Sequence, residues 1–185
     1  MKLNISLIDF KKNHKRKKNQ IIFFSKKFTN YSKLENLYKL LLANKNSFIF
    51  ESVEKGKIRG RYTIIGLDPD KTWEIKNNKI KIKTNGKSKV IRSNPLLYLN
   101  NLLNKFSMKI PSKIPFMSSM LVGYFSYDCI RYLEKIPDKC IDDLNIPEVR
   151  LLRPKTIIIF DNLKKKIFYV ENIFHERKIN NYFEE

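Results

Sequence analysis

Two segments of this chain alternate apolar and polar residues on both sides of a turn, and this pattern constrains the fold more than any other. Lys71–Thr84 alternates around the pair Asn77-Asn78. Thr156–Phe160 and Lys166–Glu171 flank Asp161-Asn162 in the same way. Side chains of a strand alternate between the two faces of a sheet, and Asn and Asp tolerate the backbone angles of tight turns. The sequence therefore predicts two antiparallel β-hairpins.

Helical patterns lie between the predicted strands. Leucines and a tyrosine at helical spacing predict a helix over Lys33–Ala43. Ser93-Asn94-Pro95 predicts a helix start, because a polar cap precedes proline at the first helical position. Leu96, Leu99, Leu103 and Phe106 are its predicted apolar face. We also expect strands at Gln20–Phe24, Ser47–Val53, Tyr62–Gly66 and Met120–Phe125. A short helix is expected at Tyr127–Glu134, and another helix from Ile173 onward. Between them, Pro137–Pro154 is expected to be mostly a connection. The predicted class is α+β, with a largely antiparallel sheet built from hairpins and interspersed helices.

The length of 185 residues suits one domain with its own core. We expect a basic segment over residues 1–19, with Lys11–Lys18 either a disordered arm or the exposed end of a short helix, and a domain over residues 20–185. A chain that stops in the first turns of a helix suggests a fragment or an excised domain. With no apolar run of membrane-spanning length and no signal peptide, a cytoplasmic location is expected. Cys129 and Cys140 match no metal or redox spacing and are expected to be free thiols.

The net charge of +20 raises the question of nucleic-acid binding. The cations are 30 lysines and eight arginines, while the chain has one alanine. Lysine, asparagine and isoleucine have AT-rich codons, so genome composition accounts for much of this charge. Sites that read nucleic acid favour the planar fork of arginine. A solvated lysine surface is the favoured interpretation, and a basic nucleic-acid-binding module around Lys11–Lys18 is the alternative.

The sequence shows no recognisable catalytic motif. His14 and His175 are the only histidines, and neither has a metal-ligand partner at useful spacing. There is no nucleophile elbow, P-loop or dinucleotide fingerprint. The residues alone indicate a non-catalytic module with no catalytic residue and no metal site.

Three of the five glycines lie between Phe50 and Asp70. Glycine reaches positive φ at low cost and lets other groups approach the backbone closely. Glu51, Ser52 and Arg61 lie at the facing ends of the two predicted strands beside this cluster. An acid, a hydroxyl and a cation in that arrangement suit a ligand site at a strand edge.

Three segments together resemble the N-terminal region of anthranilate synthase component I, a chorismate-using enzyme. They are residues 47–70 (SFIFESVEKGKIRGRYTIIGLDPD), 121–138 (LVGYFSYDCIRYLEKIPD) and 142–170 (DDLNIPEVRLLRPKTIIIFDNLKKKIFYV). The resemblance implies a lyase of tryptophan biosynthesis that makes anthranilate and pyruvate from chorismate and ammonia, with a glutamine amidotransferase as partner. The family's chorismate-binding domain, with its magnesium-binding glutamates, follows this region. We therefore expect no cofactor in this chain, Mg²⁺ in that absent domain, and no activity of the chain alone.

The resemblance also implies a feedback site for L-tryptophan. Its signature, an apolar strand ending in Glu-Ser, is matched by Phe50, Glu51 and Ser52, and Arg61 matches a basic residue near the next strand. Glu51 would accept from the ligand ammonium and Arg61 would pair with its carboxylate. Lys33 stands where the family often has a proline that borders the inhibitor, so the tryptophan response is expected to be altered or abolished.

A second matched segment contains Gly123-Tyr124, Tyr127-Asp128 and Arg131. We interpret it as strand-to-helix packing, with Asp128 capping the helix and Arg131 binding a carboxylate across the domain. The sister enzyme, the large subunit of aminodeoxychorismate synthase, is the nearest alternative family.

Overall fold

The structure is a computed structural model that describes residues 3–28, 38, 46–51, 60–84, 86–106, 108–137, 139 and 141–176. Its described helices are α1 (Leu7–Lys15) and α2 (Pro95–Phe106), with 3₁₀ helices at Phe116–Ser118 and Tyr127–Tyr132. Its strands are β1 (Gln20–Lys27), β2 (Phe48–Phe50), β3 (Tyr62–Lys76), β4 (Lys79–Thr84), β5 (Lys87–Arg92), β6 (Val122–Phe125), β7 (Val149–Asp161) and β8 (Lys166–Ile173).

The strands form one sheet in the order β1-β8-β7-β3-β4-β5, with β2 paired to β3 and β6 paired to β7. The registered pairs are antiparallel. The predicted α+β class with a largely antiparallel sheet is confirmed. No described helix is long and apolar enough to cross a bilayer.

The chain groups into two compact units. The first comprises residues 1–68, 108–119 and 155–185, and the second comprises residues 69–107 and 120–154. Strands β3 and β7 each contribute residues to both units. The predicted division into residues 1–19 and 20–185 stays a prediction.

Helix α1 places part of the basic run on a regular element. The Ser6 side chain accepts a hydrogen bond from the Asp9 backbone N–H at 3.1 Å and caps the helix. Phe10 is fully buried, and its carbonyl accepts a hydrogen bond from the Gln20 side chain. Of the two expectations for Lys11–Lys18, the helical one is confirmed for its first five residues.

The core of the second unit is built on the predicted hairpin of β3 and β4. Asn77 and Asn78 both have positive φ (47° and 60°), as a tight turn requires. The turn aligns Ile75 with Ile80 across the strands. The buried cluster consists of Trp73, Ile75, Ile80, Ile82, Val149 and Leu151.

Helix α2 packs on this cluster with a face that matches the predicted one in part: Leu99 contacts the cluster as predicted, and Tyr98 and Leu102 join it. Its start is confirmed, since the Asn94 side chain accepts from the Leu97 N–H at 3.1 Å. Tyr98 contacts the core and accepts a hydrogen bond from the Trp73 indole at 3.0 Å. Leu103, predicted to lie on the apolar face, is 59% exposed. The prediction missed Tyr98 because its hydroxyl reaches a buried indole that the helical period alone does not reveal.

The first unit has a separate core around Phe28, Ile65 and Phe160. The rings of Phe28 and Phe160 meet edge to face, with centroids 5.7 Å apart. Tyr38, Ile49, Leu67, Ile158 and Ile167 pack against this cluster. This core supports the ends of β2 and β3, where the candidate ligand residues lie.

Several predicted boundaries are wrong. Residues 149–154, predicted as part of a connection, are the first part of β7. Ile173, predicted to start a helix, is the last residue of β8, followed by Phe174 outside any helix. Strand β5 was not predicted at all. Five of its six residues are exposed, so its sequence does not alternate between apolar and polar residues as a half-buried strand does. Backbone hydrogen bonding to β4 positions the strand.

Other predictions lie partly outside the described residues. In Lys33–Ala43 the structure describes only Tyr38, which is helical. In Ser47–Val53 the strand covers Phe48–Phe50, and Glu51 follows it outside the strand. Cys140 is also outside the described residues, while Cys129 is a free thiol.

Candidate functional site

The predicted ligand residues are concentrated where β2 ends and β3 begins. Glu51 directly follows β2 and is exposed, and Arg61 directly precedes β3 and is half-buried. The other two, Ser52 and Lys33, lie outside the described residues. We call the described group of Tyr38, Phe48, Phe50, Glu51, Arg61 and Tyr62 the strand-end site.

Glu51 lies beside a buried phenol. The Tyr38 hydroxyl oxygen is shielded from solvent, and among the described residues it forms no hydrogen bond of acceptable geometry. Burial raises the pKa of Tyr38, and the nearby Glu51 carboxylate raises it further. We infer that Glu51 acts on this hydroxyl mainly through its charge, so the phenol stays protonated at neutral pH. The site thus holds one carboxylate acceptor and one neutral hydroxyl.

Arg61 is engaged within the protein. Its Nε donates to Asp161 Oδ1 at 3.1 Å and its Nη2 donates to Asp161 Oδ2 at 2.8 Å. The guanidinium carbon also lies 4.7 Å from the centre of the Tyr62 ring. Burial alone would raise the pKa of Asp161, but the hydrogen bonds from Arg61 and the Lys164 N–H hold it below its usual range. Asp161 is therefore an anion that fixes one edge of the guanidinium.

The same contacts tie the start of β3 to the turn after β7. Asn162 donates its backbone N–H to the Arg61 carbonyl at 2.8 Å and its side-chain amide to the Gly60 carbonyl at 3.3 Å. Gly60 has φ 79°, a conformation that favours glycine. A ligand carboxylate would have to use the guanidinium N–H groups that Asp161 leaves over. Arg61 is therefore a structural residue, and its role in binding a ligand stays a prediction.

Aromatic rings supply the apolar part of the site. The Phe48 and Phe50 rings lie 5.0 Å apart at a tilt, and Phe50 is 49% exposed. Phe48 is paired with Gly66 across the strands, and a Cβ at Gly66 would overlap the Phe48 ring. Gly66 therefore serves close side-chain approach, whereas Gly60 serves backbone geometry. The third glycine of the cluster, Gly56, lies outside the described residues.

Sequence reasoning missed two members of this arrangement. Tyr38 was assigned only to a helix face, and Asp161 only to a turn. Asp161 lies 100 residues from Arg61, so no local pattern indicates that they pair. An acid at the end of the apolar run 157–160 is the one signal that the sequence offers.

The second matched segment is locally engaged in the second unit. Arg131 binds the Asp128 carboxylate at 3.0 Å, three residues away, and donates to the carbonyls of Ile136 and Pro137. The carboxylate predicted across the domain is thus supplied by a neighbour in sequence. Asp128 does not cap the 3₁₀ turn, because Ser126 holds the cap position.

The interpretation of this segment as packing is supported by Gly123 and Cys129. A Cβ at Gly123 would meet the Arg150 carbonyl, so glycine lets β6 approach β7. The Cys129 thiol donates to the Glu148 carbonyl at 3.0 Å, and burial raises the pKa of the thiol. A thiol held protonated in this way is a poor nucleophile.

No group of three acidic, histidine or cysteine side chains within the described ranges could hold a metal ion. Strand alternation puts the Phe48 and Phe50 rings on the face of β2 opposite Ile49, which packs on the same cluster as Tyr38. The carboxylate, the phenol and the arginine edge suit recognition of a small zwitterion. They do not form a nucleophile with a base.

Comparison with known proteins points to one family, although no family model matches the chain. The chain is 32% identical over 139 residues to anthranilate synthase component 1 of Acetivibrio thermocellus, covering 75% of this chain and 28% of that protein. It is 35% identical over 132 residues to the Saccharomyces cerevisiae protein of the same name, covering 70% and 24%.

A solved structure shares the fold. The crystal structure of anthranilate synthase component I from Streptococcus pneumoniae TIGR4 matches with a TM-score of 0.53 and 24% identity, over 78% of this chain and 31% of that one. The chain thus spans about a quarter to a third of the length of the relatives it matches. Both sequence relatives carry the same name, and each match covers most of this chain. By its sequence, the chain belongs to the anthranilate synthase component 1 family.

Proposed function

We propose that this chain is the regulatory, L-tryptophan-sensing portion of an anthranilate synthase component 1. The whole enzyme would convert chorismate and ammonia, delivered by a glutamine amidotransferase partner, to anthranilate and pyruvate. The chorismate site and its Mg²⁺ would belong to the chorismate-binding portion of the enzyme. We assign no metal and no chemical step to the residues described here, and we expect the chain alone to be inactive.

The observation that carries the proposal is the position of Glu51. The carboxylate directly follows a strand bearing two packed phenylalanine rings and lies beside the buried Tyr38 hydroxyl. An amino-acid ammonium needs an acceptor of this kind, and an indole needs an apolar wall close to it. Arg61 offers the outer edge of its guanidinium to the ligand carboxylate.

Ser52 and Lys33 belong to the proposal through the family resemblance alone. Ser52 would bind one charged end of tryptophan through its hydroxyl or its backbone. Lys33 would weaken the response, because it replaces a rigid apolar border with a flexible cation.

The regulatory mechanism is a shift between two arrangements of the whole enzyme. Tryptophan would favour the arrangement in which chorismate is not turned over. A coupling free energy of about 1–3 kcal/mol between the two sites is sufficient for useful inhibition. The strand-end site contributes through differential contacts with the ammonium and the ring, since only differential binding shifts an equilibrium.

Binding of L-tryptophan to the chain tests the ligand assignment. We expect a Kd of about 1 mM or weaker, equivalent to about 4 kcal/mol. In a titration followed by backbone-amide NMR, shifts should concentrate at residues 48–51 and 60–62. Glu51→Gln should weaken binding about tenfold, because it removes a charge-assisted hydrogen bond. Ser52→Ala is tested in the same way.

Two controls make the titration specific. Glu134→Gln neutralises an exposed acid in the second unit and should leave binding unchanged. D-tryptophan carries the same groups in mirror image and should bind more weakly. Equal shifts in wild type and Glu51→Gln would remove Glu51 from a tryptophan site.

Anthranilate fluorescence tests the regulatory role separately. The chain supplied with chorismate, ammonium and Mg²⁺ should form no anthranilate. Product formation at a rate proportional to the chain's concentration would overturn the assignment of a purely regulatory portion.

A further inference from the structure

The outer strands β4 and β5 carry an unusual concentration of positive charge. Residues 79–92, which we call the basic hairpin, contain no Asp, no Glu and no aromatic residue. Their cations are Lys79, Lys81, Lys83, Lys87, Lys89 and Arg92. The segment from Lys76 to Tyr127 likewise contains no acidic residue. Nothing in the proposed regulatory function uses this charge.

The strand register places four of these cations on one solvent-facing surface. Lys79 pairs with Arg92, Lys81 with Val90, and Lys83 with Ser88, and directly opposed residues share a face. All six are exposed. The alternate residues Ile80 and Ile82 face the core instead. The basic face is thus fixed by the same pleat that builds the core.

A single carboxylate from β3 lies on this face. Glu74 is 3.8 Å from the Lys81 ammonium and 3.4 Å from the Lys83 ammonium. One carboxylate cannot neutralise both lysines. The described contacts of Glu74 do not include Lys79 or Arg92, the like-charged pair at the other end of the hairpin. A second carboxylate, Asp142, binds the ammonium of Lys76, which is paired with Lys79 across the strands. The cations still outnumber these two carboxylates, so the face keeps a net positive charge.

Strand β5 is also the last strand of the sheet order. Within the described part of the chain, β4 is its one paired neighbour, so one row of its N–H and C=O groups faces outward. A cavity of about 350 Å³ opens on this face, where Val90 of β5 contributes to a lining that also includes Glu74, Lys76, Lys79, Lys81 and Asn145. An added strand would place side chains next to this cavity.

We infer that the basic hairpin binds an extended acidic polypeptide segment, which pairs with the outer edge of β5. The open edge selects a polypeptide, because only another backbone continues the N–H···O=C ladder. The charge selects acidic side chains. The lysines repeat every second residue, about 6.8 Å apart, which is the spacing of same-face side chains on an added strand. Single-stranded nucleic acid fits less well, because such sites use aromatic stacking, which residues 79–92 lack.

The probe is a short blocked peptide with glutamate at alternate positions and valine or threonine between them. Fluorescence anisotropy of the labelled peptide measures its affinity for the 185-residue chain. We expect binding that weakens as salt rises. Hydrogen exchange of the outward-facing amides in residues 87–92 should slow when the peptide is bound, because these groups gain ladder partners.

Two matched probes separate pairing from charge. The same peptide with alternate backbone nitrogens methylated keeps its charge and loses its ladder donors, so its binding should fall sharply. An oligothymidylate of equal charge has no peptide backbone. Equal binding of the methylated peptide, or tighter binding of the oligonucleotide, would overturn pairing at the edge.

The matched protein variants are Lys79→Glu and Lys113→Glu. Lys79→Glu should weaken peptide binding about fivefold by replacing attraction with repulsion. The fold should tolerate it, since glutamate opposite Arg92 replaces a like-charged cross-strand pair with an opposite one. Lys113→Glu makes the same change in net charge at an exposed position in the first unit and should leave affinity unchanged. Equal weakening by both variants would show a response to net charge only and would contradict the inference.

Discussion

Two arginine–aspartate pairs in this chain share one geometry and differ in their surroundings. In each pair the arginine donates through Nε and Nη2 to both carboxylate oxygens, at 3.1 and 2.8 Å for Arg61 with Asp161 and at 2.8 Å twice for Arg153 with Asp70. The side chains of Arg153 and Asp70 are 6% and 3% exposed, whereas Arg61 is 31% exposed over a buried Asp161.

The difference separates a structural ion pair from one that can also meet a ligand. Both charges of the Arg153–Asp70 pair are removed from water, so neither can lose its partner cheaply. Arg61 keeps access to solvent and therefore to a small anion. Lys71 follows Asp70 in the sequence and is half-buried. Its burial lowers the pKa of its ammonium most, and the positive charge of Arg153 lowers it further.

The largest expected effect is that of Asp70→Ala. It removes the bidentate partner of a buried guanidinium, and we expect a loss of about 3–5 kcal/mol in the free energy of unfolding. Urea denaturation followed by circular dichroism measures it. A paired replacement, Asp70→Leu with Arg153→Met, should recover part of the loss, because two apolar side chains need no charge partner. A loss below about 1 kcal/mol for Asp70→Ala would erase the distinction between the pairs.

Asp161→Asn should have a smaller effect that depends on pH. We expect a loss of about 1–2 kcal/mol at neutral pH, from charge-assisted hydrogen bonds to a partner that water can still solvate. The pKa of Asp161 is lowered in the folded state, so its contribution is fully present above about pH 4 and is lost as pH falls through the folded pKa. The difference between wild type and variant should therefore be constant from pH 5 to pH 8 and shrink in more acidic solution. A difference that grows on acidification would contradict this sign.

The smallest effect should come from Arg61→Lys, with Arg153→Lys as its matched control. Lysine keeps the charge and loses the planar two-point fork in both variants. Arg153→Lys should cost about 2 kcal/mol, because a buried carboxylate oxygen loses its donor. Arg61→Lys should move the urea midpoint only slightly, since the Lys164 N–H still donates to Asp161 Oδ1 and the half-exposed lysine ammonium can donate to Oδ2. Equal shifts would show that exposure does not govern the two pairs.

Much of the fold could be predicted where local pattern and turn chemistry agree. Asn77-Asn78 set the first hairpin, and Asn94-Pro95 set the start of α2. The beginning of β7 was missed because Arg153 and Pro154 argue against a central strand. Arg153 is nevertheless buried, since its partner Asp70 is 83 residues away in sequence. Such a contact has no local signature.

The same limit applies to the strand-end site. The sequence correctly placed Glu51 and Arg61 at facing ends of two strands, since strand boundaries follow from alternation and glycine. It could not indicate that Arg61 is already bound by Asp161, or that Glu51 lies beside the Tyr38 hydroxyl. Both facts depend on chain segments that only the complete fold brings together.

The contact of Phe48 with Gly66 restricts how this protein can change. While position 48 holds an aromatic ring, any side chain at position 66 collides with it. Enlarging residue 66 therefore requires either a displacement of the Phe48 ring or a smaller residue at position 48. Either change would alter the pair of rings that β2 carries just before Glu51, so a substitution at a sheet glycine would reshape the aromatic surface of this strand end.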